Sequence, residues 1–304
     1  TLFVDVEPGP GHSFPSNLTV SGGQLFFVAD TPAEGRELWR SDGTAAGTAL
    51  VKSIVPGPGD GLMGELVSMG GKIYMTAGDA TTGIELWSSD GTAVGTGLVL
   101  DIDPGPGSSL PTGLAADPSG GLLLFSANDK VHGQELWKSD GTAAGTHLVA
   151  DLNPGSTDTP IDRFLFAGGR AFFAAKVGAL GWELWTTDGT ALGTQLVIDI
   201  YPGTDRNGLS PTGFAISAIE SGGELYFGAG SGPFHNGLWK VDGATLAATP
   251  IHPTTGERTF NADRMTPAGG TMYLQCSSES IASGLWKVVG TQLELIIEYG
   301  AGQD

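Results

Sequence analysis

Two Asp-Arg pairs, Asp162-Arg163 and Asp263-Arg264, are the first candidates for chemistry in this sequence. A guanidinium offers five N–H donors in a fixed fork, suited to bidentate contact with carboxylate or sulfate. Arg206 and Arg258 add positive charge to connecting segments in the same half of the chain. Four of the five histidines, His12, His132, His235 and His252, also fall in predicted connections, and His147 falls in a predicted strand. Imidazole serves as a general base or a metal ligand near neutral pH. His252 or His235 as base, with Arg264 as anion stabiliser, would suit a hydrolase or lyase. His12, His235 and His252 together are a candidate metal set, against the plainer reading of exposed loop histidines. No P-loop, His-Glu-x-x-His, Cys-x-x-Cys or Gly-x-Ser-x-Gly occurs, so no cofactor is expected.

These residues hang on a scaffold written six times. Glu37-Leu38-Trp39 returns at Glu85, Glu135 and Glu183, and fades to Gly237-Leu238-Trp239 and Gly284-Leu285-Trp286. A tandem period near fifty residues means one supersecondary unit in copies. Each copy reads as four short strands. In the first, Asn17 to Val20 precede the turn Ser21-Gly22-Gly23. Gln24 to Ala29, Arg36 to Arg40 and Ala49 to Val55 follow as strands two to four. Gly-Gly tolerates the positive φ of a tight hairpin. Adjacent apolar residues, such as Leu25-Phe26 and Leu38-Trp39, predict strands buried on both faces. Four antiparallel strands per copy predict an all-β, six-bladed β-propeller. It forms a single domain over 1–304, with repeats near 7–55, 56–102, 103–152, 153–200, 201–251 and 252–304. The phrase Leu2-Phe3-Val4-Asp5-Val6 matches a fourth strand, so an N-terminal strand is expected to close the last blade. Gln292 to Glu298 is the competing outer strand.

The phrase Glu-Leu-Trp-x-x-Asp-Gly-Thr-x-x-Gly-Thr stands intact at Glu37–Thr48, Glu85–Thr96, Glu135–Thr146 and Glu183–Thr194. It resembles the bacterial ELWxxDGT-repeat proteins over almost the whole chain. Copy five departs at Val241-Asp242-Gly243-Ala244, and copy six loses the Asp at Val288-Val289-Gly290-Thr291. The resemblance implies a secreted or cell-surface propeller and says little about its ligand.

Most repeated residues read as scaffold. Asp42, Asp90, Asp140 and Asp188 are expected to accept the amide two residues on. One carboxylate per turn is too few for Ca²⁺. Trp39 and its equivalents are expected to pack between blades. Trp182 is an exception, at a position occupied by Arg36, Ile84 and Gln134 elsewhere, and is a candidate exposed stacking surface. Function is expected where copies differ, on the face carrying the loops between strands two and three and the inter-repeat linkers. The residue before the first apolar position of strand one is Asn17, Glu65, Gly113, Arg163, Gly213 and Arg264. These six should ring the channel mouth. The long linker from His252 to Asp263, with Glu257 and Arg258, is a candidate lid.

The formal net charge of −19 argues against nucleic acid and anionic membranes. Cys276 is alone and sits in an apolar run, as a buried free thiol would. No apolar segment is long enough to span a membrane, and no signal peptide is visible, as in a trimmed mature protein or excised module. The leading expectation is a secreted or cell-surface module, monomeric or part of a larger protein. It would bind an anionic or polar glycan or a peptide carboxylate through Arg163, Arg264, Asn17 and Glu65. Asp162, Asp263, Arg206 and Arg258 would assist, with Trp182 and Phe234 as apolar contacts. The alternatives are the hydrolase or lyase above, and a structural or adhesion module.

Overall fold

The computed structural model describes residues 4–7, 11–200, 218–230, 236–253, 260–278 and 284–299. Every described element is a strand except the 3-10 turn Gly178–Leu180. Two compact units form, Thr1–Thr159 and Pro160–Asp304.

The first unit holds three four-stranded antiparallel sheets. The first is β1 (Ser16–Ser21), β2 (Gln24–Thr31), β3 (Gly35–Ser41) and β4 (Ala49–Lys52). The second is β5 (Leu62–Met69), β6 (Lys72–Asp79), β7 (Gly83–Ser89) and β8 (Gly97–Leu100). The third is β9 (Thr112–Ala116), β10 (Leu123–Asn128), β11 (Gln134–Ser139) and β12 (His147–Ala150). In each sheet the strands pair in sequence order.

The second unit opens with β13 (Leu165–Ala167), β14 (Arg170–Val177), β15 (Gly181–Thr187) and β16 (Gln195–Ile198), again in order. Next come β17 (Ile219–Ser221), β18 (Glu224–Gly230), β19 (Asn236–Asp242) and β20 (Ala248–Pro253). Last are β21 (Phe260–Ala268), β22 (Thr271–Ser278), β23 (Gly284–Val289) and β24 (Gln292–Glu298). These final eight strands form one sheet, because β20 and β24 pair in parallel at His252↔Gln292 and Pro253↔Leu293.

The doubly apolar strands do what their pattern requires. Ile73 and Met75 of β6 pack with Phe26, Val28 and Leu38 of the first sheet, while Tyr74 packs with Leu123 and Phe125 of the third. Leu225 and Phe227 of β18 pack on Phe172 and Leu184, and Tyr226 packs with Met272 and Leu274. The Leu-Trp pair divides its labour. Leu86 joins the core shared with the third sheet, and Trp87 the core shared with the first. Strand alternation places them on opposite faces, and a register shift between Leu86 and Trp87 recurs at Leu38/Trp39, Leu136/Trp137, Leu184/Trp185 and Leu285/Trp286. The bulged partner strand turns Val51, Val99 and Val149 inward. Lys52 adds a tie between neighbouring sheets: its Nζ donates to the Thr96 carbonyl at 2.8 Å and lies 5.7 Å from the Trp87 ring centroid.

The Asp-Gly-Thr-x-x-Gly-Thr phrase is turn chemistry, as expected. Asp90 Oδ1 accepts from Thr92 N at 2.8 Å and from Thr92 Oγ1 at 2.7 Å. These bonds, led by the Thr92 hydroxyl, hold the Asp90 carboxyl below its ordinary pKa. Gly95 N donates to Thr92 Oγ1, and Thr96 Oγ1 donates to Thr92 O. Thr96 Oγ1 also sits 2.7 Å from Ser89 Oγ. A Cβ at Gly95 would overlap the Asp90 carboxylate, which is why the motif needs its second glycine. Gly95→Ala should therefore lower stability by roughly 1–2 kcal/mol, read from the midpoint of chemical denaturation. An unchanged midpoint would refute this packing reason.

Three expectations change. Strand four of the first copy ends at Lys52, not Val55. Val4 to Glu7 hold no strand, and β24 is the outer partner of β23, so the described part of the N-terminal segment does not close the last sheet. Copies five and six are joined by the β20–β24 pairing instead of ending as separate four-stranded sheets. Cys276 is buried and in no disulfide, as its apolar run predicts.

Candidate functional site

Four of the six positions expected at the channel mouth sit where the first strand of a copy breaks its ladder. Register shifts fall between Ser16 and Thr19, between Leu62 and Leu66, and between Asp263 and Thr266. They enclose Asn17, Glu65 and Arg264. On the partner of β9 the shift lies between Leu124 and Ser126, bracketing Gly113. Asn17, Gly113 and Arg264 have φ of 52°, 65° and 46°. A left-handed arginine costs about 1 kcal/mol or more. The first strand of the copy runs through Asn17, Glu65, Gly113 and Arg264, kinked by a bulge, while Arg163 stands just before β13. Gly213 lies outside the described residues.

Asn17 Nδ2 donates to Gly64 O at 2.9 Å, which ties β1 to β5. The Asn17, Glu65, Arg163 and Arg264 side chains are exposed. Asp162 and Arg163 do not form a side-chain ion pair. Asp162 Oδ1 accepts the Arg163 backbone N–H at 2.8 Å, and Arg163 Nη2 donates to Ala218 O at 3.0 Å. Among the described residues neither Arg163 nor Arg264 has an ion-pair partner, whereas Arg170 pairs with Asp188 at 3.7 Å. Asp263 lies in β21 opposite Gln275.

Other candidates move. Trp182 is half-buried and packs against the core shared by Phe172 and Phe227, so it is not an exposed stacking surface. His252 is a strand residue of β20, not part of a lid, and its N–H donates to Thr291 O at 3.2 Å. His12 is exposed against Phe14, with ring centroids 5.7 Å apart. His132 Nδ1 lies 2.7 Å from Asp129 Oδ2, a contact that raises the imidazole pKa. His147 opens β12, as expected of a strand residue. Among the described residues no cluster of three or more His, Cys, Asp or Glu is placed to hold a metal. Phe234, His235, Arg206, Glu257 and Arg258 lie outside the described residues.

The residue that sequence reasoning overlooked is the glutamate of Glu-Leu-Trp. Glu37, Glu85, Glu135 and Glu183 are completely buried. Each carboxylate fastens the linker leaving its own copy. Glu37 accepts Val55 N–H at 2.9 Å, Glu135 accepts Leu152 N–H at 2.9 Å, and Glu183 accepts Ile200 N–H at 3.1 Å. Glu85 accepts Ile102 N–H at 3.1 Å, Asp103 N–H at 3.3 Å and Ser109 N–H at 2.8 Å, and also the Ser109 hydroxyl. Thr159 Oγ1 donates to Glu135 at 2.5 Å.

Ser109 and Thr159 each follow their glutamate by 24 residues. In the first copy that position is Gly61, which has no hydroxyl, and Glu37 Oε2 lacks a partner. Four residues beyond Gly61, Ser109 and Thr159 stand Glu65, Gly113 and Arg163. The clasp thus helps set where these three linkers deliver Glu65, Gly113 and Arg163. The preceding linker position helps: Asp60, Ser108 and Asp158 accept the N–H of Arg36, Ile84 and Gln134. Burial pushes the Glu37 and Glu135 pKa up to about 7, against the lowering effect of the donated hydrogen bonds. Glu85 is raised for the same reason. A repeated Glu, followed 24 residues later by Ser109 in the second copy and Thr159 in the third, was the available signal.

No family model and no curated protein matches the chain. Solved structures do resemble it. Oligopeptidase B from Leishmania major matches with a TM-score of 0.52 at 11% identity, over 96% of this chain and 41% of that one. A prolyl endopeptidase structure matches with a TM-score of 0.51 at 13% identity, over 94% of this chain and 43% of that one. A puromycin hydrolase matches with a TM-score of 0.44 at 15% identity, over 96% of this chain and 55% of that one. The chain spans about half or less of the length of these structures. The first two likenesses show a β-propeller-like all-β fold.

Proposed function

We propose that this chain is a six-bladed β-propeller of the ELWxxDGT-repeat type that binds a peptide through an anionic group. Six copies of one repeat support the blade number. The observation that carries the binding reading is the state of Arg163 and Arg264. Both are exposed where first strands enter, and neither has a carboxylate partner among the described residues, in a chain of net charge −19. Leaving such arginines unpaired amid excess carboxylate suits an incoming anion. The two nearer structural likenesses are to peptidases, which favours a peptide carboxylate over an acidic glycan. The place of His252 inside β20 weighs against a hydrolase built on it. Secretion or surface display follows from the repeat resemblance, and the protein works as a monomer or as a module of a larger one.

The test is direct. Short peptides and acidic and neutral polysaccharides are incubated with the protein and co-elution is scored by size-exclusion chromatography. Arg163→Ala and Arg264→Ala should each weaken binding of a free-carboxylate peptide about tenfold; Arg264→Ala should keep the thermal midpoint, and Arg163→Ala should lower it slightly through loss of the bond to Ala218 O. Unchanged affinity in both variants would remove the assignment. Cleaved peptide or polymer would replace it with an enzyme.

A further inference from the structure

The strands β5 and β9 enclose a cavity of about 110 Å³, lined by Gly64, Glu65, Thr76, Pro111, Gly113 and Leu114 among others. Its lining holds one ionisable group, Glu65. That carboxylate is exposed, and it makes no hydrogen bond or ion pair with any described residue. Of the remaining polar lining, Thr76 Oγ1 donates to Pro111 O at 2.7 Å, Gly64 O accepts from Asn17, and Thr112 Oγ1 accepts from Gln134 Nε2 at 3.4 Å. The bulge between Leu62 and Leu66 lifts Glu65 out of the ladder, and β5 and β9 are edge strands of their sheets. A Cβ at Gly113 would meet nothing within 4 Å, so this wall stays open. The surroundings favour a cation, since residues 1–159 hold 19 of the 33 acidic residues and only 6 of the 14 basic ones.

We infer that the Glu65 cavity is a binding site for a primary ammonium group. One carboxylate is too few for Ca²⁺, which takes six to eight oxygens. An ammonium needs one anionic acceptor and has three donors to share with water and main-chain carbonyls. The volume admits an ammonium head with a short methylene stem, several water molecules in equivalent size. This rests on the peptide reading above, since a peptide offers an ammonium at its N-terminus or on a lysine.

The probe is n-propylammonium chloride, titrated into the whole protein while the Glu65 side-chain carboxyl resonance is followed by NMR. A saturable shift is expected with n-propylammonium and not with tetramethylammonium, which has no N–H donor. The Glu65→Gln protein, followed by calorimetry, should bind at least tenfold more weakly with the same thermal midpoint as wild type. No saturable response, or equal affinity in Glu65→Gln, overturns the site. Trialanine compared with N-acetyl-lysine amide then shows whether an N-terminal or a lysine ammonium is preferred. Because n-propylammonium carries no carboxylate, its failure and a failure of the Arg163 and Arg264 test are distinguishable.

Discussion

Glu85→Ala should destabilise the protein by about 4 kcal/mol and lower the thermal midpoint by about 10 °C. The carboxylate accepts four hydrogen bonds from the linker, and Ile102 and Ser109 are themselves buried. Truncation removes their acceptor and admits no obvious substitute, so buried N–H groups are left unmatched. It also opens a void beside Ile102 and Ser109. Glu85→Gln keeps the shape and one strong acceptor, and should lose far less. Calorimetric unfolding of the two variants is the measurement. Equal, small losses in both would mean that the linker does not depend on the clasp. The reach should extend beyond stability: Gly113 follows Ser109 by four residues, so amide exchange at Leu110, Thr112 and Gly113 should accelerate in Glu85→Ala.

The second large effect is in pH. The Glu37 and Glu135 carboxyls titrate near 7 in the folded chain against 4.5 as the ordinary value. The folded state therefore holds more protons than the unfolded state between these limits. Stability from these two groups is fully present below about pH 4.5 and is lost as pH rises through about 7. The expected loss is on the order of 2 kcal/mol per group. The groups facing Glu37 are Glu34 and Asp60, and Asp151 faces Glu135; all are acidic and act in the same direction as burial. The turn aspartates run the other way. Asp42, Asp90, Asp140 and Asp188 are held below their ordinary range, so their contribution fades only at lower pH. Denaturation midpoints from pH 5 to 8 should thus decline for wild type and flatten in Glu37→Gln/Glu135→Gln. Parallel curves would show that burial does not perturb these carboxyls.

The Asp-Gly-Thr turn was readable because its cause is local. Asp90, Thr92 and Gly95 lie within six residues, and side-chain geometry alone decides their bonds. The Leu-Trp pairing was readable too, since adjacent apolar residues on one strand must face two neighbours. The Glu clasp was not. Nothing near Glu85 in sequence says that its carboxylate will be buried, because the donors that satisfy it stand 17 to 24 residues away. Trp182 misled for a related reason: an odd residue in the repeat is not thereby exposed, and here it covers the core around Phe172.

Copies five and six show the same division. Gly237 and Gly284 announce that the glutamate is gone, but not what replaces it. Without that acceptor, the segment after β19 stays extended through Pro253, and the His252 N–H finds Thr291 O. By itself the sequence determined the repeat, the four strands of each copy, the turns and the doubly buried faces, because periodicity and short-range geometry suffice for these. The tertiary structure alone decided which polar groups are buried together, which arginines and carboxylates stay unpaired, and where each linker sets its ring residue. Those depend on contacts between segments distant in the chain, whose desolvation and hydrogen bonding exist only once the sheets have packed.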